Sequence, residues 1–260
     1  MRLNRLKQRI ARKEGVVNGW LSMPCAFSAE IMAHQGWDSL TIDLQHGVID
    51  YSDLLPMLTA ISTTDTVPLV RVPSLEFGLI MKVLDAGAYG VIAPLINNAE
   101  DARALVAACR YPPLGMRSFG PHRAMLYGGA DYARHANDEM LVLGMIETRE
   151  GVANLEEILA VEGLDGLYIG PADLALSHGH APGFDHGDGP MDDLIGQLIE
   201  RARLHDKIVG IHNGGAAHAK RMLARGCDLV TVGSDTRLLM AGARELLSAM
   251  ERETDHREGY

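Results

Sequence analysis

Two short runs carry the densest chemical signal in this sequence. Met145-Ile146-Glu147-Thr148-Arg149-Glu150-Gly151 and Tyr168-Ile169-Gly170-Pro171-Ala172-Asp173 each read as an apolar strand that ends abruptly in a carboxylate. A helix-like pattern follows the first, and a Gly-Pro turn interrupts the second. Two carboxylates delivered by neighbouring strands to one end of a sheet can hold a hard divalent cation such as Mg²⁺, with water and substrate oxygens completing its shell. Glu147 and Asp173 are therefore the expected metal ligands. The competing reading is an N-cap role for one of them, since Asp173 sits near the start of a short helical turn.

Other polar residues end neighbouring apolar runs in Asp43-Leu44-Gln45-His46-Gly47, Val70-Arg71-Val72-Pro73 and His212-Asn213-Gly214-Gly215. His46 is the candidate general base, because an imidazole titrates near working pH. Asp43 or Asp85 could orient it; a satisfied buried histidine is the alternative. Arg71 closes an otherwise apolar strand, where a lone buried cation is costly. It should meet an anion, either a substrate oxyanion or a carboxylate of the protein. Behind Gly170-Pro171, the amides of Ala172 and Asp173 could face a substrate carboxylate, as helix starts do. A plain tight turn is the other reading.

Weaker signals surround these. His178, His180 and His186 lie in a Gly-rich stretch but fit no defined metal spacing, and read as solvated loop residues. Gly214-Gly215 could cradle a phosphate or simply start a helix. Arg117, His122 and Arg123 could bind the acidic or hydroxylated end of a substrate, or lie at an interface.

These residues need a scaffold that delivers strand ends to one rim. The 260 residues alternate short apolar runs with amphipathic helical patterns, and no linker divides them. Strands are expected at 17–23, 39–44, 68–72, 90–95, 141–146, 166–170, 208–212 and 228–233. Helical patterns lie between them at 28–35, 52–62, 75–86, 99–109, 151–161, 191–205, 216–224 and 236–250. About eight such units imply one α/β domain, a (β/α)₈ TIM barrel, with its active site at the carboxyl ends of the strands. Ala86-Gly87 and Arg225-Gly226 supply helix C-caps. Leu3, Leu6 and Ile10 recur at helical spacing, so the basic start is read as a short helix closing the barrel bottom rather than a transit peptide. The stretch 111–140, rich in Gly, Pro, Arg and aromatics, is expected to be a functional loop, a lid or a substrate-binding wall. A polar tail, 251–260, is expected to fray.

Composition excludes several classes. A net charge of −10 argues against nucleic acid, whose binding needs clustered Lys and Arg. No apolar run reaches membrane-spanning length. Cys25, Cys109 and Cys227 form no CxxC pair, which makes the cytoplasm the simplest setting. Lys7, Lys13, Lys82, Lys207 and Lys220 all fall on helices or their flanks, so no lysine is offered for a Schiff base. No dinucleotide fingerprint follows the first strand.

The chain resembles the HpcH/HpaI aldolase family, the metal-dependent (class II) pyruvate aldolases, over about residues 15–250. The resemblance rests on Ile42-Asp43-Leu44-Gln45-His46, Val70-Arg71-Val72-Pro73 and Leu84-Asp85-Ala86-Gly87-Ala88. It rests equally on Tyr111-Pro112-Pro113-Leu114-Gly115-Met116-Arg117, Ile146-Glu147-Thr148-Arg149-Glu150 and Ile169-Gly170-Pro171-Ala172-Asp173-Leu174. It implies a (β/α)₈ barrel, commonly a hexamer built from dimers that exchange their C-terminal helix. It implies reversible retro-aldol cleavage of a 4-hydroxy-2-oxo acid to pyruvate and an aldehyde. By motif, Glu147 and Asp173 would bind Mg²⁺, Mn²⁺ or Co²⁺. His46 would be the acid/base, with Asp85 raising its basicity. Arg71 would stabilise the enolate, and the Ala172 backbone would hold the 2-oxo acid carboxylate.

Two residues depart from the common pattern. Gln45 stands where many members carry Glu, and Met145 where many carry Gln. Met145 lies two residues before Glu147, on the same strand face, and cannot donate an amide hydrogen bond. Donor preference is therefore expected to depart from the common pattern, with hydroxypyruvate the alternative donor to pyruvate. The other readings are a related barrel lyase acting on a CoA thioester or phosphoenolpyruvate-type substrate, and a catalytically silent barrel that binds a 2-oxo acid.

Overall fold

The fold follows from eight apolar runs too short to be helices, each buried by the helix that follows it. The computed structural model describes residues 1–252. Its strands are β1 (Val16–Leu21), β2 (Ser39–Asp43), β3 (Val67–Arg71), β4 (Gly90–Ala93), β5 (Leu141–Ile146), β6 (Gly166–Ile169), β7 (Ile208–Asn213) and β8 (Leu229–Ser234). They pair in parallel in chain order, and β8 returns to β1 to close the barrel. Every residue of β2, β3, β4, β5 and β6 is buried, as expected for strands covered on both faces.

The helices are α1 (Arg5–Ala11), α2 (Ala26–Ala33), α3 (Tyr51–Ile61), α4 (Phe77–Asp85), α5 (Ala99–Cys109), α6 (His122–Gly128) and α7 (Tyr132–Glu139). They continue with α8 (Arg149–Ala153), α9 (Leu155–Leu159), α10 (Pro171–Ser177), α11 (Pro190–Leu204), α12 (Ala216–Arg225) and α13 (Asp235–Ala249). Asn98, Thr148 and Ser234 cap α5, α8 and α13 through side-chain oxygens. Gly87 and Gly226, at φ +106° and +108°, take the left-handed conformation that ends α4 and α12. α1 does close the bottom: Leu6 and Ile10 are buried, and Asn4 donates to the carbonyls of Tyr89 and Glu139 just before β4 and β5.

All eight strands lie within about two residues of their expected positions. The pattern expected at 151–161 is two short helices, α8 and α9, broken at Asn154. The stretch 111–140 differs more. It is not structureless, since α6 and α7 form within it. It also leaves the end of α5 and enters the start of β5, which puts it on the amino-terminal side of the barrel. Met1 and Arg2, from the bottom-closing segment, bond to Asp131 and to the Gly128 carbonyl. Within one chain this stretch therefore does not wall the carboxyl rim. The frayed tail expected at 251–260 lies, from residue 253 onward, outside the described residues.

Candidate active site

β2 and β3 pair with Asp43 opposite Arg71, so the two residues arrive at the rim side by side. Arg71 Nε donates to Asp43 Oδ1 at 2.8 Å and Nη2 to Oδ2 at 2.6 Å. Both side chains are buried. Trp20 of β1 adds an indole N–H bond to Oδ2 at 3.1 Å, and its ring lies 4.8 Å from the guanidinium carbon. Burial raises the Asp43 pKa, but Arg71, Trp20 and the Gln45 amide together hold the carboxyl below its ordinary value. The anion expected opposite Arg71 is thus a carboxylate of the protein. Asp43 also accepts from the backbone amides of Gln45 and His46, at 3.0 and 3.3 Å, and so fixes the main chain that carries His46. His46 itself is exposed at the rim. Gln45 keeps a buried Oε1 that has no hydrogen-bond partner among the described residues.

Glu147 is the first residue past β5 and is only 3 % exposed. Its Oε1 accepts the Leu95 amide at 2.8 Å. Burial pushes its pKa up, the Leu95 amide pulls it down, nearby Asp173 raises it and Arg71 lowers it; the net shift is upward. Two carboxylates that repel one another in a half-dry pocket are a site for a cation. Gly170 leaves room for the Glu147 carboxylate. A Cβ there would stand 2.9 Å from Glu147 Oε2 and 3.0 Å from Met145 Cε. Gly170 caps α10 and Pro171 opens it, so the amides of Ala172 and Asp173 belong to the first turn, where helical amides lack intrahelical acceptors. Among the described residues, no group of three or more His, Cys, Asp or Glu side chains gathers as a metal cluster. The Glu147–Asp173 pair nonetheless fits Mg²⁺ or Mn²⁺, hard ions that retain several waters and need only one or two carboxylates.

Arg71, Met145, Gly170, Pro171, Ala172 and Asp173 line one cleft at the carboxyl rim. Three further residues complete it: Tyr168, Phe184 and His212. Sequence reasoning gave none of them a role. Tyr168 had a legible signal, since it sits two residues before Gly170 and shares its strand face. His212 ends β7 at the rim. Phe184 lies in the Gly-rich stretch after α10, where nothing in the sequence marks it. The His212 ring is held edge-on by Trp20 at 5.0 Å and lies 4.9 Å from the Phe184 ring.

Other expected residues sit elsewhere. Asp85 ends α4, five residues before β4 begins, and accepts from Arg117 Nη2 at 2.7 Å. Arg117 is buried against Tyr132 and Tyr111. Arg123 donates to the Ala86 carbonyl at 2.7 Å, and His122, which opens α6, is exposed. All four belong to the amino-terminal side of the barrel. The Gly214 amide, considered above for phosphate, donates to Asp185 instead. Among the described residues, no lysine lies at the carboxyl end of a strand.

The family pattern of HpcH/HpaI aldolase/citrate lyase matches residues 19–241. A hydroxypyruvate/pyruvate aldolase of Rhizorhabdus wittichii is 43% identical over 93% of this chain and 97% of its own length. A 5-keto-4-deoxy-D-glucarate aldolase of Shigella dysenteriae is 35% identical over 96% and 97%. The crystal structure of an HpcH/HpaI aldolase/citrate lyase family protein from Burkholderia cenocepacia superposes with a TM-score of 0.88, at 33% identity, over 95% of this chain and 99% of that one. With the family pattern spanning most of its length and its barrel in agreement, the chain belongs to the HpcH/HpaI aldolase/citrate lyase family.

Proposed function

We propose that the protein is a class II aldolase that splits a 4-hydroxy-2-oxo acid into pyruvate or hydroxypyruvate and an aldehyde at this cleft. The observation that carries the reading is the convergence of Glu147, Asp173 and Arg71 on one rim that offers no lysine. The relatives named as aldolases support the reaction class.

Glu147 and Asp173 would hold a divalent cation. When bound, such an ion polarises the 2-oxo group and makes an enolate accessible near neutral pH. The amides of Ala172 and Asp173 orient the substrate carboxylate. Arg71, fixed by Asp43, presents positive charge to the oxygen on which negative charge grows, with no reorganisation at the moment of reaction. His46 takes the proton of the 4-hydroxyl as the C3–C4 bond breaks. The bond electrons pass to the enolate, the aldehyde leaves, and protonation of C3 releases the 2-oxo acid.

The same reading makes the protein a homo-oligomer. Asp235 is the only buried residue of α13, while Leu239, Leu246 and Leu247 are 64, 72 and 47 % exposed. An apolar helix face of this kind calls for a second copy. Asp85, Arg117 and Arg123 bond within their own chain away from this cleft, and of the four His122 is the one left exposed for a subunit contact.

The test of the reaction is release of pyruvate from a 4-hydroxy-2-oxo acid, followed by coupled reduction. Release that stops in EDTA and returns with Mg²⁺ or Mn²⁺ supports it. Release that persists in EDTA removes the metal from the account.

A further inference from the structure

β7 delivers His212 to the cleft beside Met145, Tyr168 and Phe184, and the hydrogen bonds behind it determine what its ring can do. In the β7–β8 register His212 stands opposite Thr231. The Tyr168 hydroxyl donates to Thr231 Oγ1 at 2.7 Å and lies 3.4 Å from His212 Nδ1. Thr231 Oγ1 also accepts from Asn18 Nδ2 at 2.8 Å. Asn18 Oδ1 in turn accepts from the hydroxyls of Ser39 and Thr41. Asn18, Ser39, Thr41 and Thr231 are fully buried in the barrel, and both lone pairs of Thr231 Oγ1 are engaged, one by Asn18 and one by Tyr168.

A phenol has one proton, and Tyr168 gives it to Thr231. Toward His212 the Tyr168 oxygen can therefore only accept, which puts the imidazole proton on Nδ1 and a lone pair on Nε2. The two ring nitrogens point away from one another, so the nitrogen that does not face Tyr168 is the acceptor. Trp20 and Phe184 hold the ring in place on two sides. Of the other side chains on this wall, Met145 has no proton to give and Phe184 has no polar atom.

The geometry points to His212 as the residue that reads the C3 substituent of the donor 2-oxo acid, its Nε2 accepting a hydrogen bond from the C3 hydroxyl of hydroxypyruvate. This rests on the aldolase reading above. Pyruvate has a methyl group there and leaves the acceptor unanswered, and a site built to bond a hydroxyl discriminates against the analogue that lacks it. The acceptor does not fade at acid pH. Burial, followed by the cations Arg71 of β3 and Arg237 of α13, outweighs Asp43 of β2 and pushes the His212 pKa down to about 3. The ring stays neutral at any pH at which an aldolase works.

The experiment measures exchange of C3 protons with D₂O by NMR, for hydroxypyruvate and for pyruvate, with Mn²⁺-loaded protein and its His212→Leu, His212→Gln and Tyr168→Phe variants. The readout is the ratio of kcat/KM between the two donors. His212→Leu is expected to lower the hydroxypyruvate-to-pyruvate ratio about five- to tenfold, the worth of one neutral hydrogen bond, through KM for hydroxypyruvate. Gln, which can place an oxygen near the Nε2 position, restores part of the ratio. Tyr168→Phe, which frees the tautomer while leaving His212 in place, lowers the ratio as well. The wild-type ratio stays constant between about pH 6 and 8, since the acceptor is neutral throughout. A ratio unchanged in His212→Leu and Tyr168→Phe, with pyruvate exchange intact, overturns this inference and leaves the aldolase reading standing. So does an equal loss on both donors. Wild-type protein that exchanges neither donor overturns the aldolase reading and this inference with it.

Discussion

Arg71 and Asp43 face one another across the β2–β3 register and share two hydrogen bonds at 2.8 and 2.6 Å, both side chains buried at the rim of the barrel. The pair does two things at once. It compensates a cation that could not stand alone in a dry strand end, and it aims that cation at the cleft while the same carboxylate ties down the backbone of His46. Asn at position 43 removes the charge that compensates buried Arg71. Asp43→Asn is expected to lose about 3–5 kcal/mol of stability, measured by urea denaturation. Arg71→Lys, which keeps the charge but not the paired donors, should fold and lower kcat/KM about 10²-fold or more.

The same pair sets an acid limit. The folded pKa of Asp43 lies below its ordinary 3.8, so the folded state binds its proton less readily than the unfolded chain. The stabilisation is complete above the ordinary value and is lost as pH falls through the lower, folded one. The gap in denaturation midpoint between wild type and Asp43→Asn should be constant from pH 7 to about 5 and close below about 4. A gap that widens with acid contradicts the assignment.

Glu147 has the opposite sign. Burial first, and Asp173 with it, raise its folded pKa above the ordinary 4.5. The folded state therefore holds the proton more tightly, and stability declines as pH rises from the ordinary value through the folded one. In metal-free protein at neutral pH, Glu147→Gln is expected to raise the melting temperature while abolishing turnover in the metal-loaded enzyme. A lower melting temperature in EDTA would show that the Glu147 charge is already compensated without a cation.

Gly170 tests the packing of the two carboxylates. A Cβ there meets the flexible ends Glu147 Oε2 and Met145 Cε, and more loosely Glu147 Cβ at 3.2 Å, so the site accommodates it by displacing the Glu147 carboxylate. Gly170→Ala should fold normally and weaken Mn²⁺ binding about tenfold or more, read by calorimetric titration.

Met145 supplies an independent handle on the donor. Met145→Gln introduces an amide donor beside Glu147, and is expected to shift the hydroxypyruvate-to-pyruvate ratio of kcat/KM about threefold or more. Equal rates with both donors would remove Met145 from donor selection.

The barrel was legible because β1 to β8 are short, apolar and regularly spaced, and because several strand ends carry a polar residue that is costly in a core. Asp43, Arg71, Glu147 and Asp173 could be read for that reason. Tyr168, Phe184 and His212 could not be read as one wall. They come from three segments, and their common face appears only when the barrel closes and the stretch after α10 folds back. The placement of segment 111–140 was not legible for a physical reason too. Its composition suits a loop, but only connectivity shows which end of the barrel an α-to-β link occupies. Asp85 is the same case, because the family resemblance pairs it with His46 while α4 ends it on the amino-terminal side of its own barrel.

The central claim is that this cleft makes an enolate from a 2-oxo acid through Glu147, Asp173 and Arg71. The most direct measurement is loss of the pyruvate methyl proton signal in D₂O by NMR, with Mg²⁺ or Mn²⁺, then EDTA, then metal restored, for wild type and Glu147→Gln. The account predicts exchange, with pyruvate or with hydroxypyruvate in its place, that vanishes in EDTA, returns with metal and is absent from Glu147→Gln. Exchange that persists in EDTA or in Glu147→Gln contradicts it.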